Sequence, residues 1–448
     1  FFSFCSKSNT DRPPVIIPSD GYNEYTQYGT PFASIPKAED IIMYEVNLRA
    51  MSLTGDLNGV INKLDHISSL GVNVLWLMPI HPIGEINSVN SPYSIRDFME
   101  VSSEYGSLND LRKLTDEAHK RGISVIMDWV ANHTSWDNSW MENKDWYTQN
   151  SSGEIIHPPG TNWLDVADLN FSNEEMRLAM IDAMKYWIYE ANIDGYRCDY
   201  ADGVPYDFWK QAIDTLILTP ERDFIFLAEG DRNNHFNAGF DLTFAWNSYS
   251  TIKEVFNGQS INKIFTSHNN EYTNIPDGKH KLRFTTNHDE SAWDASPIVL
   301  FDGVMGATAA TVINTFVGGV PLLYTGQEVG VATTTSFFDN STIDWDANPD
   351  MLLSYNRIMN FYSQSDCSRS GINTIYSHND IMCLRKTLDN KEVIIIVNVR
   401  NQSISYSLPE SLQNTIWYNA MSDTTLELDT QIDLSGYDYL ILSNDLSF

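Results

Sequence analysis

Carboxylic side chains follow several apolar runs along this sequence, accompanied by two histidines and an arginine. The residues are Asp199, Glu229, Asp289, Arg197, His133 and His288. No serine or cysteine stands beside a base in the way that acyl transfer requires. Hydrolysis of a glycosidic bond instead needs one ionised and one protonated carboxyl group on opposite sides of that bond. The residue types therefore favour chemistry on sugars over acyl or phosphoryl transfer.

Asp199 and Glu229 end two consecutive predicted strands, so we expect their carboxyl groups to face each other across one cleft. Arg197 lies two residues before Asp199 and therefore on the same strand face, where its cation would keep that carboxylate ionised. An ionised Asp199 suits a nucleophile, and Glu229 suits an acid and base. The structural alternative is a buried ion-pair cluster that only closes the mouth of the fold.

Eight strand-like runs alternate with helix-like segments and determine the expected fold. The predicted strands are 41–49, 72–79, 124–130, 195–200, 224–229, 239–244, 282–287 and 320–325. The clearest predicted helices are 57–70, 108–121, 174–191 and 208–217, the third of them capped by Ser172 or Asn173. This alternation predicts a closed (β/α)8 TIM barrel, with its site at the C-terminal ends of the strands. No GxGxxG follows the first strand, which disfavours dinucleotide binding.

Segments outside the barrel pattern predict the domain organisation. Residues 1–36, rich in Pro, Gly, Ser and Asn, indicate a tether and lead-in segment before a barrel over 37–365. The connection 132–171 after the third strand is long enough to be an inserted functional domain. Short β-type runs over 366–448 predict a C-terminal antiparallel β-sandwich, with strands at 374–376, 381–386, 392–399, 403–408 and 437–443.

The charge balance restricts the class of partner. The 448 residues include 28 basic and 59 acidic side chains, for a formal charge of -31. Such a field repels nucleic acid and anionic lipid headgroups, whereas a neutral glucan is indifferent to it. We therefore expect a carbohydrate partner and no nucleic acid.

The four cysteines are scattered and form no CxxC pair, so neither a zinc site nor a disulfide framework is predicted. They are Cys5, Cys198, Cys367 and Cys383. Cys5 follows the apolar start Phe-Phe-Ser-Phe and precedes a polar stretch, as in a lipoprotein signal whose cysteine carries lipid. No other run approaches the roughly 18 apolar residues of a membrane span. We expect export to the periplasm or cell surface, with a lipid anchor at Cys5 as the membrane attachment.

Four short segments, in order and each at a predicted strand end, resemble the α-amylase family of glycoside hydrolases (family 13). They are Asp128-Trp-Val-Ala-Asn-His133, Gly195-Tyr-Arg-Cys-Asp199, Phe226-Leu-Ala-Glu229 and Phe284-Thr-Thr-Asn-His-Asp289, and Asp165-Val-Ala-Asp-Leu-Asn170 approximates a fifth. The resemblance implies that Asp199 is the nucleophile, Glu229 the acid/base and Asp289 a carboxylate that binds ring hydroxyls. It also implies a substrate-binding set of Tyr93, His133, Arg197 and His288.

The resemblance implies a retaining hydrolase of α-1,4-glucosidic bonds in starch-like glucans or maltooligosaccharides, with no cofactor needed for the chemistry. One departure is that Tyr200-Ala-Asp-Gly203 replaces a Lys-His pair that binds the acceptor sugar and calcium in many relatives. Two interpretations of Asn132 and Asp168 stay open: they bind Ca²⁺, or they only form hydrogen bonds within the loop. The alternatives are a transglycosylase, an exo-acting α-glucosidase or neopullulanase of the same fold, and an inactive carbohydrate-binding relative.

Overall fold

The structure, a computed structural model, describes residues 24–445, in which eight parallel strands close into a barrel. In chain order they are β1 (Met43–Val46), β2 (Val74–Leu77), β3 (Ser124–Trp129), β4 (Gly195–Cys198), β5 (Ile225–Ala228), β6 (Leu242–Phe244), β7 (His280–Arg283) and β8 (Val320–Tyr324). Each strand pairs in parallel with the next, and β8 pairs with β1. The predicted TIM barrel is confirmed.

Successive residues of the barrel strands alternate between the barrel interior and the layer beneath the helices. Met43, Trp76 and Leu227 belong to one buried cluster inside the barrel, whereas Tyr44 and Leu75 pack with the surrounding helices. Toward the C-terminal ends of the strands, polar and charged side chains replace the apolar ones at buried positions. The alternation therefore places the candidate site above a dry, packed core.

The helices form the outer layer of the barrel. The longer ones are Leu108–His119, Glu174–Glu190, Tyr206–Leu216, Trp246–Phe256, Asn262–Tyr272, Val304–Phe316 and Pro349–Gln364, and the shorter ones are Leu48–Met51, Leu57–Ile61, Leu64–Ser69, Asn234–Ala238, His288–Trp293, Pro297–Leu300 and Asp366–Ser370. Asn173, rather than Ser172, caps the helix Glu174–Glu190 with its side-chain oxygen. The prediction of a single helix over 57–70 is wrong. The helix is interrupted after Ile61, at Asn62, because asparagine is a poor helix former.

Seven of the eight barrel strands end one to four residues earlier than the sequence pattern predicts, β1 for example at Val46 rather than at residue 49. β4 ends at Cys198 rather than at residue 200, because Tyr200 takes up a left-handed conformation with φ 40. β7 spans His280–Arg283 rather than 282–287. The reason is that Asn287 leaves the sheet and caps the helix His288–Trp293, its side chain accepting a backbone N–H at 2.9 Å.

Two irregular segments pack on the barrel. The long connection after β3 contains a short antiparallel pair, His133–Ser135 with Val166–Asp168, which places His133 opposite Asp168. Near the start of the described chain, Tyr28 donates to Asp116 at 2.8 Å and Phe32 stacks on His119 at 4.4 Å. The lead-in segment is thereby joined to the helix Leu108–His119.

The C-terminal part forms two antiparallel sheets. Its strands are β9 (Ile372–Tyr376), β10 (Ile381–Leu388), β11 (Lys391–Asn398), β12 (Ile404–Ser407), β13 (Thr415–Asn419), β14 (Thr424–Leu428), β15 (Gln431–Leu434) and β16 (Tyr439–Ser443). The six-stranded sheet has the order β9-β10-β11-β16-β13-β14, and β12 pairs with β15. Ile394 packs with Leu434 of the small sheet, whereas Leu384 and Ile395 join the core of the barrel helices. The predicted antiparallel domain is confirmed, although the prediction missed β13, β14 and β15.

Within residues 24–445, no helix combines the length and apolar character needed to cross a bilayer. Cys198, Cys367 and Cys383 are buried free thiols. Cys5, at which we expect a lipid anchor, lies outside the described residues.

Candidate active site

The parallel register of β4 and β5 brings Asp199 and Glu229 side by side. Cys198 pairs with Ala228 across the two strands, and the next residue on each strand is the carboxylic acid. The pairing continues past the strand ends, because the Glu229 N–H donates to the Cys198 carbonyl at 3.0 Å. Both side chains line one cavity of about 700 Å³, a size typical of ligand sites. The two carboxyl groups therefore share one cleft.

Arg197 links these two carboxyl groups to a third. It is fully buried, and its Nη1 donates to Asp199 Oδ1 at 3.0 Å and to Asp128 Oδ1 at 2.8 Å. Nη2 lies 2.9 Å from Glu229 Oε2, an ion pair that lacks hydrogen-bond geometry. The Trp76 ring, 4.9 Å from the guanidinium, shields it on another side. One buried cation is thus held among three carboxylates, and breaking such a cluster is costly.

Burial and charge act in opposite directions on the two acids. Burial raises the pKa of the Asp199 carboxyl well above its ordinary range, against the opposing effect of Arg197, and the Glu229 charge raises it further. Burial also raises the pKa of Glu229, again opposed by Arg197. The two groups therefore titrate as a coupled pair. A pair that shares one proton supplies one acid and one carboxylate, the two forms that glycosidic cleavage needs.

A chain of hydrogen bonds connects His288 to β1 and to the Arg197 cluster. His288 Nδ1 contacts the buried Glu45, and Nε2 lies 2.7 Å from the Tyr93 hydroxyl. Tyr93 donates to Asp128 Oδ2 at 3.2 Å, and its ring stacks on the His288 ring at 5.3 Å. Burial lowers the pKa of His288, but the Asp289 and Glu45 carboxylates more than offset this and raise it to about 9. His288 is therefore an imidazolium that donates from both nitrogens.

Asp289 and His133 complete the predicted set. Asp289 lies in the first turn of the helix His288–Trp293, with Oδ2 3.6 Å from His288 Nε2, and its side chain is partly exposed. His133 lies in the insertion, where burial lowers its pKa to about 4 and keeps it neutral. Both line the cavity that contains Asp199 and Glu229, as does Tyr93. Arg197 lies buried behind the carboxyl groups.

Aromatic side chains outside the sequence motifs form much of the cavity wall. They are Trp163, Tyr200, Trp293, Phe337 and Phe338. The Trp163 and Tyr200 rings meet edge to face at 5.1 Å, and Phe337 stacks on Phe338 at 4.4 Å. Such surfaces suit the apolar faces of sugar rings. Their sequence signal is weak, since each lies in a loop or short helix beyond the strand ends.

The catalytic-domain profile of the alpha-amylase family matches residues 19–163 and 161–372, well over half of the chain. The chain belongs to the alpha-amylase family. Alpha-amylase MalA of Haloarcula japonica is 26% identical over 415 residues, which cover 86% of this chain and 59% of that protein. The intracellular maltogenic amylase of Bacillus subtilis is 26% identical over 430 residues, which cover 87% of this chain and 70% of that protein.

The fold of this alpha-amylase family member matches solved structures of amylases. The crystal structure of an alpha-amylase from Lactobacillus plantarum superposes with a TM-score of 0.81 at 26% identity, covering 91% of this chain and 99% of that chain. The molecule is therefore a member of this family by sequence and by architecture.

Asn132 and Asp168, for which calcium ligation and loop hydrogen bonds are the two open predictions, line a second cavity of about 500 Å³ beside Tyr200 and Gly203. Burial raises the pKa of Asp168, and the Thr148 side chain hydrogen-bonds to it and opposes the shift. Among residues 24–445, no three His, Cys, Asp or Glu side chains converge as metal ligands. Ca²⁺ takes about six to eight oxygen ligands, so two side-chain oxygens would need carbonyls and water as partners. The calcium site stays a prediction.

Proposed function

We propose that this protein is a retaining hydrolase of α-1,4-glucosidic bonds in starch-like glucans or maltooligosaccharides, acting by double displacement. The observation that carries the proposal is the single guanidinium of Arg197, which lies 3.0 Å from Asp199 and 2.9 Å from Glu229. Carboxyl groups that share one guanidinium are held close together. Retaining enzymes need a separation of roughly 5–5.5 Å, whereas inverting enzymes leave room for a water molecule.

In the first displacement, an Asp199 oxygen bonds to the anomeric carbon while the bond from that carbon to the glycosidic oxygen breaks. Glu229 gives its proton to that oxygen, so the leaving sugar departs as a neutral alcohol. Asp199 is the ionised partner, because Arg197 donates a hydrogen bond to it and makes only an ion-pair contact with Glu229. Glu229 is assigned the proton because burial raises the pKa of both carboxyl groups, and of the two only Asp199 accepts a hydrogen bond from Arg197.

In the second displacement, the Glu229 carboxylate takes a proton from water, and the water oxygen attacks the anomeric carbon and releases Asp199. This restores both carboxyl groups to their starting states and retains the anomeric configuration. Asp289 and the His288 cation lie where hydroxyl contacts to the reacting sugar would strengthen in the transition state. His133 would donate to the same sugar, and Tyr93 would stack on it.

Side-by-side digestion of starch, pullulan and maltotriose tests the proposal. We expect a spread of maltooligosaccharides early from starch, whose first reducing ends carry the α configuration by proton NMR. Asp199→Asn is expected to lower kcat by at least about a thousand-fold while its circular dichroism stays unchanged. Glucose as the sole product, or abundant transfer products, would favour the glucosidase or transglycosylase alternative. No sugar release at acid, neutral or mildly alkaline pH would favour an inactive binding protein.

The lipid anchor at Cys5, export and the calcium ion are further parts of the proposal. The anchor is supported by the apolar segment before Cys5, and Cys5→Ser should move the protein from the membrane fraction to the soluble fraction without loss of activity.

The calcium ion is supported by Asn132 and Asp168, which line one cavity. A melting temperature that falls in EDTA and recovers with Ca²⁺ would support the ion, whereas an unchanged one would favour loop hydrogen bonds.

A further inference from the structure

Tyr200 directly follows the proposed nucleophile, and its backbone lies in the left-handed region at φ 40 and ψ 46. Bulky side chains rarely adopt this conformation, and such strain concentrates at functional sites. Its N–H donates to Glu229 Oε2 at 2.6 Å. Its ring lines the cavity, edge to face with Trp163, and the residue is 38% exposed. Tyr200 therefore contacts the acid/base residue through its backbone N–H and lines the open part of the cleft with its ring.

The position of the Tyr200 ring depends on Gly203. A Cβ atom built on Gly203 would lie 2.3 Å from Tyr200 Cε1, far inside van der Waals contact. Residue 203 therefore cannot be a histidine while Tyr200 keeps this conformation. Any side chain at residue 203, histidine included, would thus require the Tyr200 ring to move.

Asp202, in the same stretch 200–203 that replaces the Lys-His pair, is bound by residues that follow β5. Asp202 Oδ1 accepts from Arg232 Nε at 2.9 Å and lies 2.6 Å from His235 Nε2, and Oδ2 accepts the Asp231 N–H at 3.3 Å. These contacts hold the Asp202 side chain against the segment that follows β5. Within 200–203 the chain therefore has neither the lysine nor the histidine side chain that would reach an acceptor sugar.

We propose that Tyr200, backed by Trp163, binds the leaving-group sugar by stacking, so that this side of the cleft is aromatic rather than cationic. The inference rests on the proposed function, because the leaving group is the sugar whose oxygen Glu229 protonates. The Tyr200 N–H holds that same carboxyl group, so its ring lies beside the departing sugar. In transfer reactions the site would receive the acceptor, and a sugar ring or an aryl ring fits it.

Two substrates that share a maltosyl group but differ in leaving group test this inference. Cleavage of maltotriose releases glucose, whereas α-maltosyl fluoride releases only fluoride. Tyr200→Ala is expected to lower kcat/KM for maltotriose about ten-fold more than for the fluoride. Tyr200→Phe keeps the ring face and should stay within about two-fold of wild type on both substrates. Tyr200→Gly, which suits the left-handed backbone, gives the same readout should the alanine variant fold poorly.

Trp293→Ala is the matched control, because Trp293 lines the same cavity but belongs to the helix that carries Asp289. It should lower kcat/KM for both substrates by a similar factor. Trp163→Ala should instead resemble Tyr200→Ala, with a greater loss on maltotriose. With maltose added as acceptor, Tyr200→Ala should also shift the products from transfer toward hydrolysis.

Equal losses of Tyr200→Ala on the two substrates would overturn the inference and leave Tyr200 as a positioning residue for Glu229. Damage in Tyr200→Phe as large as in Tyr200→Ala would also overturn stacking, in favour of a contact from the hydroxyl. An unchanged partition between transfer and hydrolysis would count against the site as well. Wild-type protein that leaves both substrates intact would instead refute the proposed function, so the two failures are distinguishable.

Discussion

The charge on His288 gives the structure a measurable pH dependence. Its Nδ1 contacts Glu45, and its Nε2 faces the Tyr93 hydroxyl, whose own proton goes to Asp128. With the Glu45 carboxylate accepting at Nδ1 and the Tyr93 oxygen accepting at Nε2, both ring nitrogens donate, as only an imidazolium does. The neighbouring carboxylates Asp289 and Glu45 outweigh burial and raise the pKa of His288 from 6.5 to about 9.

The raised pKa of His288 predicts both a magnitude and a sign. At about 1.36 kcal/mol per pKa unit, it contributes about 3 kcal/mol to stability. His288 is only 2% exposed, so solvent screening removes little of this. Because the folded pKa lies above the unfolded one, the contribution is fully present below pH 6.5 and is lost as the pH rises through about 9.

The assay is an NMR titration of the histidine ring signals, with His288→Gln identifying the resonance. We expect a midpoint near pH 9 and, in parallel, a melting-temperature difference between wild type and His288→Gln that shrinks as the pH rises from 6.5 to about 9. A midpoint at or below the ordinary value of 6.5 would show that burial wins over the two carboxylates, and the electrostatic reasoning would fail.

Three further predictions concern the acid, the buried cation and a helix cap. Glu229→Gln should lower the rate on maltotriose by at least about a hundred-fold but spare activated aryl glycosides, and equal losses on both would contradict an acid role. Arg197→Met should lower the free energy of unfolding by about 3–5 kcal/mol. The loss should be smaller at acid pH, because protonation removes the repulsion among the three carboxylates. A melting temperature near that of wild type would refute the importance of the cluster. Asn173→Ala should cost about 1 kcal/mol, seen as a lower melting temperature, because it removes the cap at the Met176 N–H; no change would show the cap is dispensable.

The placement of the proposed catalytic pair could be predicted because it depends on local patterns. An apolar run that ends in Asp or Glu predicts a carboxylate at a strand end, and a spacing of two residues places Arg197 beside Asp199. Glu45 could not be assigned in this way, since its contact with His288 spans 243 residues of sequence. Its signal is a single charge inside the apolar run before residue 46, which indicates a buried polar partner without naming it.

Other features escaped prediction for physical reasons. The left-handed backbone of Tyr200 has no glycine or asparagine to signal it, and its N–H donates to Glu229, which is 29 residues away in the sequence. β13, β14 and β15 each bury only one residue and are exposed or partly exposed along the rest of their length, so their hydrophobic alternation is weak.

The six-stranded C-terminal sheet matters for anyone wishing to shorten this enzyme. Its residues Leu384, Val393, Ile395 and Val397 share one core with the barrel helices. A chain cut before β9 would leave the complementary apolar strip of those helices facing water, and exposed strips of this kind drive association. A minimal catalyst built from this barrel must therefore either retain the second domain or carry polar replacements along that seam.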